Sequence, residues 1–208
     1  MLTKPRRGGI KINYFLLKQD NRKKLLSQYF STMNYHTLPK VELHLHLDCS
    51  LSYKVVQQLN PSISFEEYNQ SFVAPTKCTD LADYISRAIK GFELMQTKEQ
   101  LRLVVLDLFE QLQADNVIYA EMRFAPLQHV FQELTAMEVV EAVNDAVEEG
   151  IKITGVHARV ILCTLRHYSA AQSMQTVKLV NQFKGTYITA FDIAADEASF
   201  PIDNHIEA

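Results

Sequence analysis

From Leu38 onward the chain alternates apolar and polar residues, with Leu43, Leu45 and Leu47 in one phase and His44, His46 and Asp48 in the other. A period of two is that of a strand, so both imidazoles and the carboxylate are expected on one face and the leucines on the opposite one. Asp48 and Ser50 then open a loop. After this strand the period lengthens. Leu51 to Leu59 reads as a helix stopped by Asn60-Pro61, because proline lacks a donor and disfavours helix in the residue before it. Ser64-Phe65-Glu66-Glu67 reads as a capped short helix. Thr79 is expected to cap a longer one, with Leu81, Tyr84, Ile85, Ala88 and Phe92 at three- and four-residue intervals. Thr97 to Gln113 carries a second stripe of Leu101, Val104, Val105, Leu108, Phe109 and Leu112. Both stripes read as core.

Beyond residue 116 strands and helices take turns. Val117 to Phe124 is a strand, Thr135 to Glu148 a helix closed by Gly150, and Gly155 to Cys163 the next strand. Ser169 to Phe183 is a helix closed by Lys184-Gly185, and Tyr187 to Ile193 is a fourth strand. Strands separated by helices imply right-handed crossovers and a parallel sheet.

Composition changes this picture little. The 208 residues are 47% hydrophobic and 22% charged, an ordinary globular balance for one domain. A net charge of -3 gives no whole-protein case for a nucleic-acid partner. No apolar run approaches the ~20 residues that cross a bilayer, so no membrane partner is expected. Cys49, Cys78 and Cys163 are odd in number and scattered, which argues for a reducing compartment and a cytoplasmic protein. Charge is uneven, however. In residues 1–37, Lys4, Arg6, Arg7, Lys11, Lys18, Arg22, Lys23 and Lys24 are balanced only by Asp20. RNA binding, an anionic membrane and targeting are open to such an arm. The preferred reading is a disordered tail, or a start codon set too early with Met33 as the alternative.

Chemistry concentrates in His44 and His46. Two imidazoles on one short strand can approach one divalent cation, at roughly 2.0–2.1 Å each for zinc, although isolated His-x-His pairs are more often packing or surface residues. The ends of strands are where α/β enzymes keep their reactive groups.

Leu38 to Ser50, reading LPKVELHLHLDCS, resembles the opening strand of the adenosine deaminase family. The likeness continues, in order, through YAEMRFAP at Tyr119 to Pro126, ARVILCTLRH at Ala158 to His167, FDIAADE at Phe191 to Glu197 and FPIDNH at Phe200 to His205. The resemblance implies a (β/α)8 barrel, of which residues 38–208 would be roughly the first four βα units. Such barrels usually take about 250 residues. The chain is therefore expected to be the N-terminal part of one, and poorly soluble alone because an open half exposes its inner face and edges.

The resemblance further implies a zinc-activated water attacking C6 of a purine, converting adenosine, and 2′-deoxyadenosine, to inosine and ammonia in purine salvage. By it His44 and His46 look like zinc ligands, and His46, Asp48 and Ala195 like substrate-binding residues, with Asp48 accepting from the ribose 5′-hydroxyl. From the residues alone, a loop-capping role for Asp48 is equally open. The family's third zinc histidine and its catalytic glutamate stand in a His-Ala-Gly-Glu motif that does not occur here, so no catalytic residue is nominated and the chain alone is expected to be inactive. His129, His157, His167 and His205 are expected to be surface or packing histidines.

Two residues depart from the family pattern. Cys49 replaces a glycine, and Ala195 replaces another whose amide approaches the purine, a change expected to require negative φ. The implied partner is a small purine nucleoside. Alternatives are a related aminopurine, such as adenine or an aminofutalosine-type nucleoside, and a non-catalytic truncated gene product. A nucleoside monophosphate fits less well, since Asp48 would repel its phosphate. The other zinc deaminase class needs Pro-Cys-x-x-Cys, which is absent. Arg123 shares a strand face with Tyr119 and Glu121, and is read as part of an internal network rather than a substrate ligand. Asp192 is a candidate partner for Arg123 or Arg159.

Overall fold

The computed structural model describes residues 35–208. The basic arm over 1–37 lies almost wholly outside them, and of it only the 3-10 turn Tyr35–Thr37 is described, in a unit separate from Pro39–Ala208. Among the described residues, that second unit carries the sheet and all the α-helices.

Four parallel strands form one sheet in the order of the chain: β1 Lys40–His46, β2 Val117–Phe124, β3 His157–Leu165 and β4 Ile188–Ala194. Seven α-helices accompany them: α1 Tyr53–Leu59, α2 Phe65–Ser71, α3 Leu81–Ile85, α4 Ile89–Glu93, α5 Lys98–Ala114, α6 Ala136–Thr154 and α7 Ala170–Gln182. The parallel pairing in chain order is what the alternation predicts.

The core lies between the sheet and helices α5 and α6. The predicted stripe Leu101, Val104, Val105, Leu108, Phe109 and Leu112 is buried throughout, and so are Met122 and Phe124 of β2, Leu162 of β3 and Val139, Val140 and Val143 of α6. Each such side chain contributes about 1.5–3 kcal/mol on leaving water. Three helices start with reciprocal caps: Thr97 with Gln100, Thr135 with Glu138 and Ser169 with Gln172. Each pair satisfies two otherwise orphaned backbone donors, which fixes where α5, α6 and α7 begin.

Two boundaries differ from expectation. Helix α6 does not stop at Gly150 but runs to Thr154, and Gly155, taken as the start of β3, is its left-handed cap with φ of 75°. Gly150 is a packing glycine: a Cβ there would lie 2.3 Å from Cδ2 of Phe109. The absence of a side chain lets α6 approach α5, so the glycine marks a helix contact rather than a helix end. The helix expected from Thr79 is capped instead by Asp80, which accepts from the Asp83 amide at 2.8 Å, while Thr79 N donates to Asp83. It breaks into α3, a 3-10 turn over Ser86–Ala88, and α4, with Leu81 and Tyr84 exposed rather than in the core.

Candidate active site

The His-x-His strand ends beside the C-terminal ends of its neighbours. His44 and His46 lie on one side of β1, their ring centroids 5.4 Å apart and the planes tilted by 39°. The predicted juxtaposition of the imidazoles is therefore present. The predicted leucine face is only partly so. Leu47 is fully buried and Leu45 partly, but Leu43 is 54% exposed on an edge strand. Asp48 does not extend the strand either. It sits in the 3-10 turn Leu47–Cys49 and comes back toward the imidazoles through that turn, with Oδ1 4.0 Å from His46 Nδ1.

Register explains the arrangement. Val41 pairs with Tyr119 and Glu42 with Ala120, but Leu45 pairs with Met122 and His46 with Arg123, so Leu43 and His44 together stand opposite Glu121. This is a β-bulge, and it cancels an opposite slip between Lys40 and Val41, so that His46 and Arg123 return to the register of Lys40 and Val117. Leu45 thereby joins the buried Met122 on the helix-facing side, and His46 joins Arg123 on the inner face.

Burial is the main cause that holds His46 below the usual imidazole range, followed by His44 and the Arg123 cation, with Asp192 opposing. A neutral imidazole is the form that ligates metal. Asp48 is buried, and that burial pushes its carboxyl up to about 7, against a hydrogen bond from Cys49 Sγ at 3.6 Å that lowers it. Cys49 is pushed up in turn by burial and by Asp48.

On the inner face Arg123 Nη1 pairs with Asp192 on β4, and Nη2 donates to Leu43 O at 3.3 Å. The internal network is thus present, with Arg123 rather than Arg159 as partner. Arg159 lies over the Tyr187 ring at 5.6 Å, and Tyr119 donates to Glu121 at 2.9 Å. Cys163 is buried beside Asp192, its thiol pushed up by burial first, which suits strand filling and not a nucleophile.

Ala195 follows β4 directly with φ of 86°, so the expectation of negative φ is corrected. A methyl group in the left-handed region costs about 1–2 kcal/mol. The remaining histidines pack or face solvent. His129 is fully buried, its Nδ1 2.9 Å from Met95 O and its ring between Phe92 and Phe124. His205 bridges Ser173 Oγ and Arg166 O at 2.7 and 3.1 Å. His157 and His167 are exposed.

Among the described residues no cluster of three or more His, Cys, Asp or Glu side chains could hold a metal. The pair fits two positions of a tetrahedral zinc set, with a shared side and spacing suited to it. An open cavity of about 860 Å³ lined by Leu127, Phe131, His167, Tyr168 and Gln172 includes neither imidazole. The ionisable groups His44, His46, Asp48, Arg123 and Asp192 converge instead at the end of β1. The sequence reading missed the bulge, and with it Glu42, whose carboxylate lies 3.5 Å from the His44 amide. It also missed Gly91 of α4, where a Cβ would lie 2.3 Å from Asp48 O. Nothing in a one-dimensional pattern separates such a glycine from a helix breaker.

The sequence profile of the adenosine deaminase family matches residues 39–208. The chain belongs to that family. It is 37% identical over 178 residues to the adenosine deaminase of Clostridium acetobutylicum, covering 82% of this chain and 53% of that protein. Among solved structures it is similar to an amidohydrolase from Burkholderia ambifaria with bound Zn, with TM-score 0.72, 20% identity and coverage of 83% of this chain and 48% of the other. It is also similar to adenine deaminase from Arthrobacter aurescens, with TM-score 0.70, 20% identity and coverage of 81% and 52%. At these identities the two structures speak to fold alone, that of a (β/α)8 barrel, of which the described residues supply four parallel strands. The chain spans about half the length of the curated relatives it matches. Among the described residues no helix is long and apolar enough to cross a membrane.

Proposed function

We propose that this chain carries the β1 half of a zinc and purine site for hydrolytic deamination of adenosine, and of 2′-deoxyadenosine, to inosine and ammonia, in cytoplasmic purine salvage. The observation that carries the reading is the imidazole pair, on one side of a strand end in a member of the adenosine deaminase family. His44 and His46 would hold the zinc, which when bound lowers the pKa of water from about 15.7 to about 7 and so supplies hydroxide at neutral pH. Asp48, buried beside His46, would accept the ribose 5′-hydroxyl, and the Ala195 amide would face the base. A related aminopurine is the second reading. It is favoured by the methyl of Ala195 in a left-handed conformation, where extra bulk at the base pocket changes what fits.

Zinc titration followed by calorimetry tests the site. Binding should occur with one ion per chain and fall at least tenfold in H44A and in H46A. A titration unchanged by both substitutions removes the reading. Incubation of the zinc-loaded chain with adenosine, followed by absorbance, should yield no inosine, because His-Ala-Gly-Glu does not occur in these 208 residues.

A further inference from the structure

The register of β1 slips twice. Lys40 faces Val117 and His46 faces Arg123 at the same offset, while Val41 and Glu42 between them are displaced by one residue, so the extra residue at Leu43–His44 restores the phase that sets Leu45 beside Met122 and His46 beside Arg123 on the inner face. Two backbone groups at this bulge are met by side chains. Leu43 O accepts from Arg123 Nη2 at 3.3 Å, and the His44 N–H faces Glu42 Oε1 at 3.5 Å.

Arg123 is suited to this. Its side chain is only 11% exposed, it stands in register with His46, and its other terminal nitrogen pairs with Asp192, which the β3–β4 register places two strands away. One planar guanidinium therefore reaches from the bulge on β1 across β3 to β4, a span that a forked, rigid cation serves and a single ammonium does not.

We propose that Arg123 is a positioning residue for the imidazole pair: held by Asp192, it pins the Leu43–His44 bulge through the Leu43 carbonyl and thereby fixes where β1 presents His44 and His46. The metal consequence rests on the proposed zinc reading; the pinning of the bulge does not. Arg123 touches neither metal nor substrate in this role and acts through the backbone of β1.

The test uses the full chain and two readouts. Amide hydrogen exchange without metal should quicken roughly tenfold or more at His44, Leu45 and His46 in R123M, with α5 unchanged. Titration with Zn2+ alone should weaken by roughly 10–100-fold, the range of partners that orient metal ligands. R123K keeps the charge opposite Asp192 and should retain the wild-type melting temperature without recovering the affinity, which a merely structural role would not produce. Should R123M fail to fold, R123M/D192L leaves no charge unpaired and serves in its place. Exchange at residues 44–46 unchanged in R123M, or in the double variant, overturns the proposal. If the wild-type chain takes up no Zn2+ while R123M still loosens residues 44–46, the deaminase reading fails and the bulge-pinning role stands.

Discussion

Strands β2 and β1 lie side by side and teach opposite lessons. β2 has a neighbour on each side, and α5 packs on it, with Ala120, Met122 and Phe124 of its even-numbered face fully buried. Its limits, Val117–Phe124, are those its sequence predicts. β1 has one neighbour, a bulge, and apolar Val41 and Leu43 more than half exposed. Packing determines the first strand, and polar groups determine the second. The part of the sheet that carries the candidate chemistry is the part least fixed by the core.

The largest test of this contrast sets Phe109 against Leu43. F109A removes a fully buried ring on which Gly150 rests and should cost about 3–5 kcal/mol in urea unfolding, whereas L43T on the open edge should change stability by less than about 0.5 kcal/mol. Equal losses would mean that β1 is as much a part of the core as α5.

A second prediction sharpens the comparison through pH. Burial holds His129 down at about 4, against 6.5 when unfolded, with the bond at Met95 O only partly opposing. The unfolded chain therefore takes up a proton that the folded one refuses. Stability from this group is full above pH 6.5 and is lost as pH falls toward 4, by about 3 kcal/mol in all. The Asp48 carboxyl, pushed up to about 7, gains stability over the same window, so the His129 part is read as the difference between the wild type and H129Q in urea midpoints from pH 7.5 down to 4.5, which should grow in favour of H129Q as pH falls. A slope indifferent to H129Q would place the titration elsewhere.

The smallest effect concerns the other edge strand. A195G relieves a left-handed alanine and should raise stability by about 1 kcal/mol, less the added freedom of the unfolded glycine. An unchanged or lowered melting temperature would show that the methyl group's contacts with the core outweigh its backbone cost.

These regions also differ in how far the sequence discloses them. The stripe from Leu101 to Leu112, the four strands and the shared side of His44 and His46 follow from periodicity, because burial on one face imposes a repeat that the chain must honour. The register slips on either side of Val41–Glu42 could not be read this way: the segment alternates without a break, and only the neighbouring strand reveals where residues fall out of step. Asp48 was assigned to the right neighbourhood for the wrong reason, reaching His46 through a turn and not along the strand. Gly155 takes the capping role expected of Gly150, which packs against Phe109 instead, since a glycine's sequence signature is the same whether it admits a neighbour's ring or permits positive φ.

Gly91 gives this asymmetry a practical edge. Because α4 rests its bare Cα against the carbonyl of Asp48, the turn bearing that carboxylate has a solid backstop supplied by a helix much later in the chain. Any side chain at 91 would act as a shim, lifting helix from turn by the width of a methyl group. The depth at which the Asp48 carboxylate stands beside the imidazoles is thus gauged by an atom that is not there.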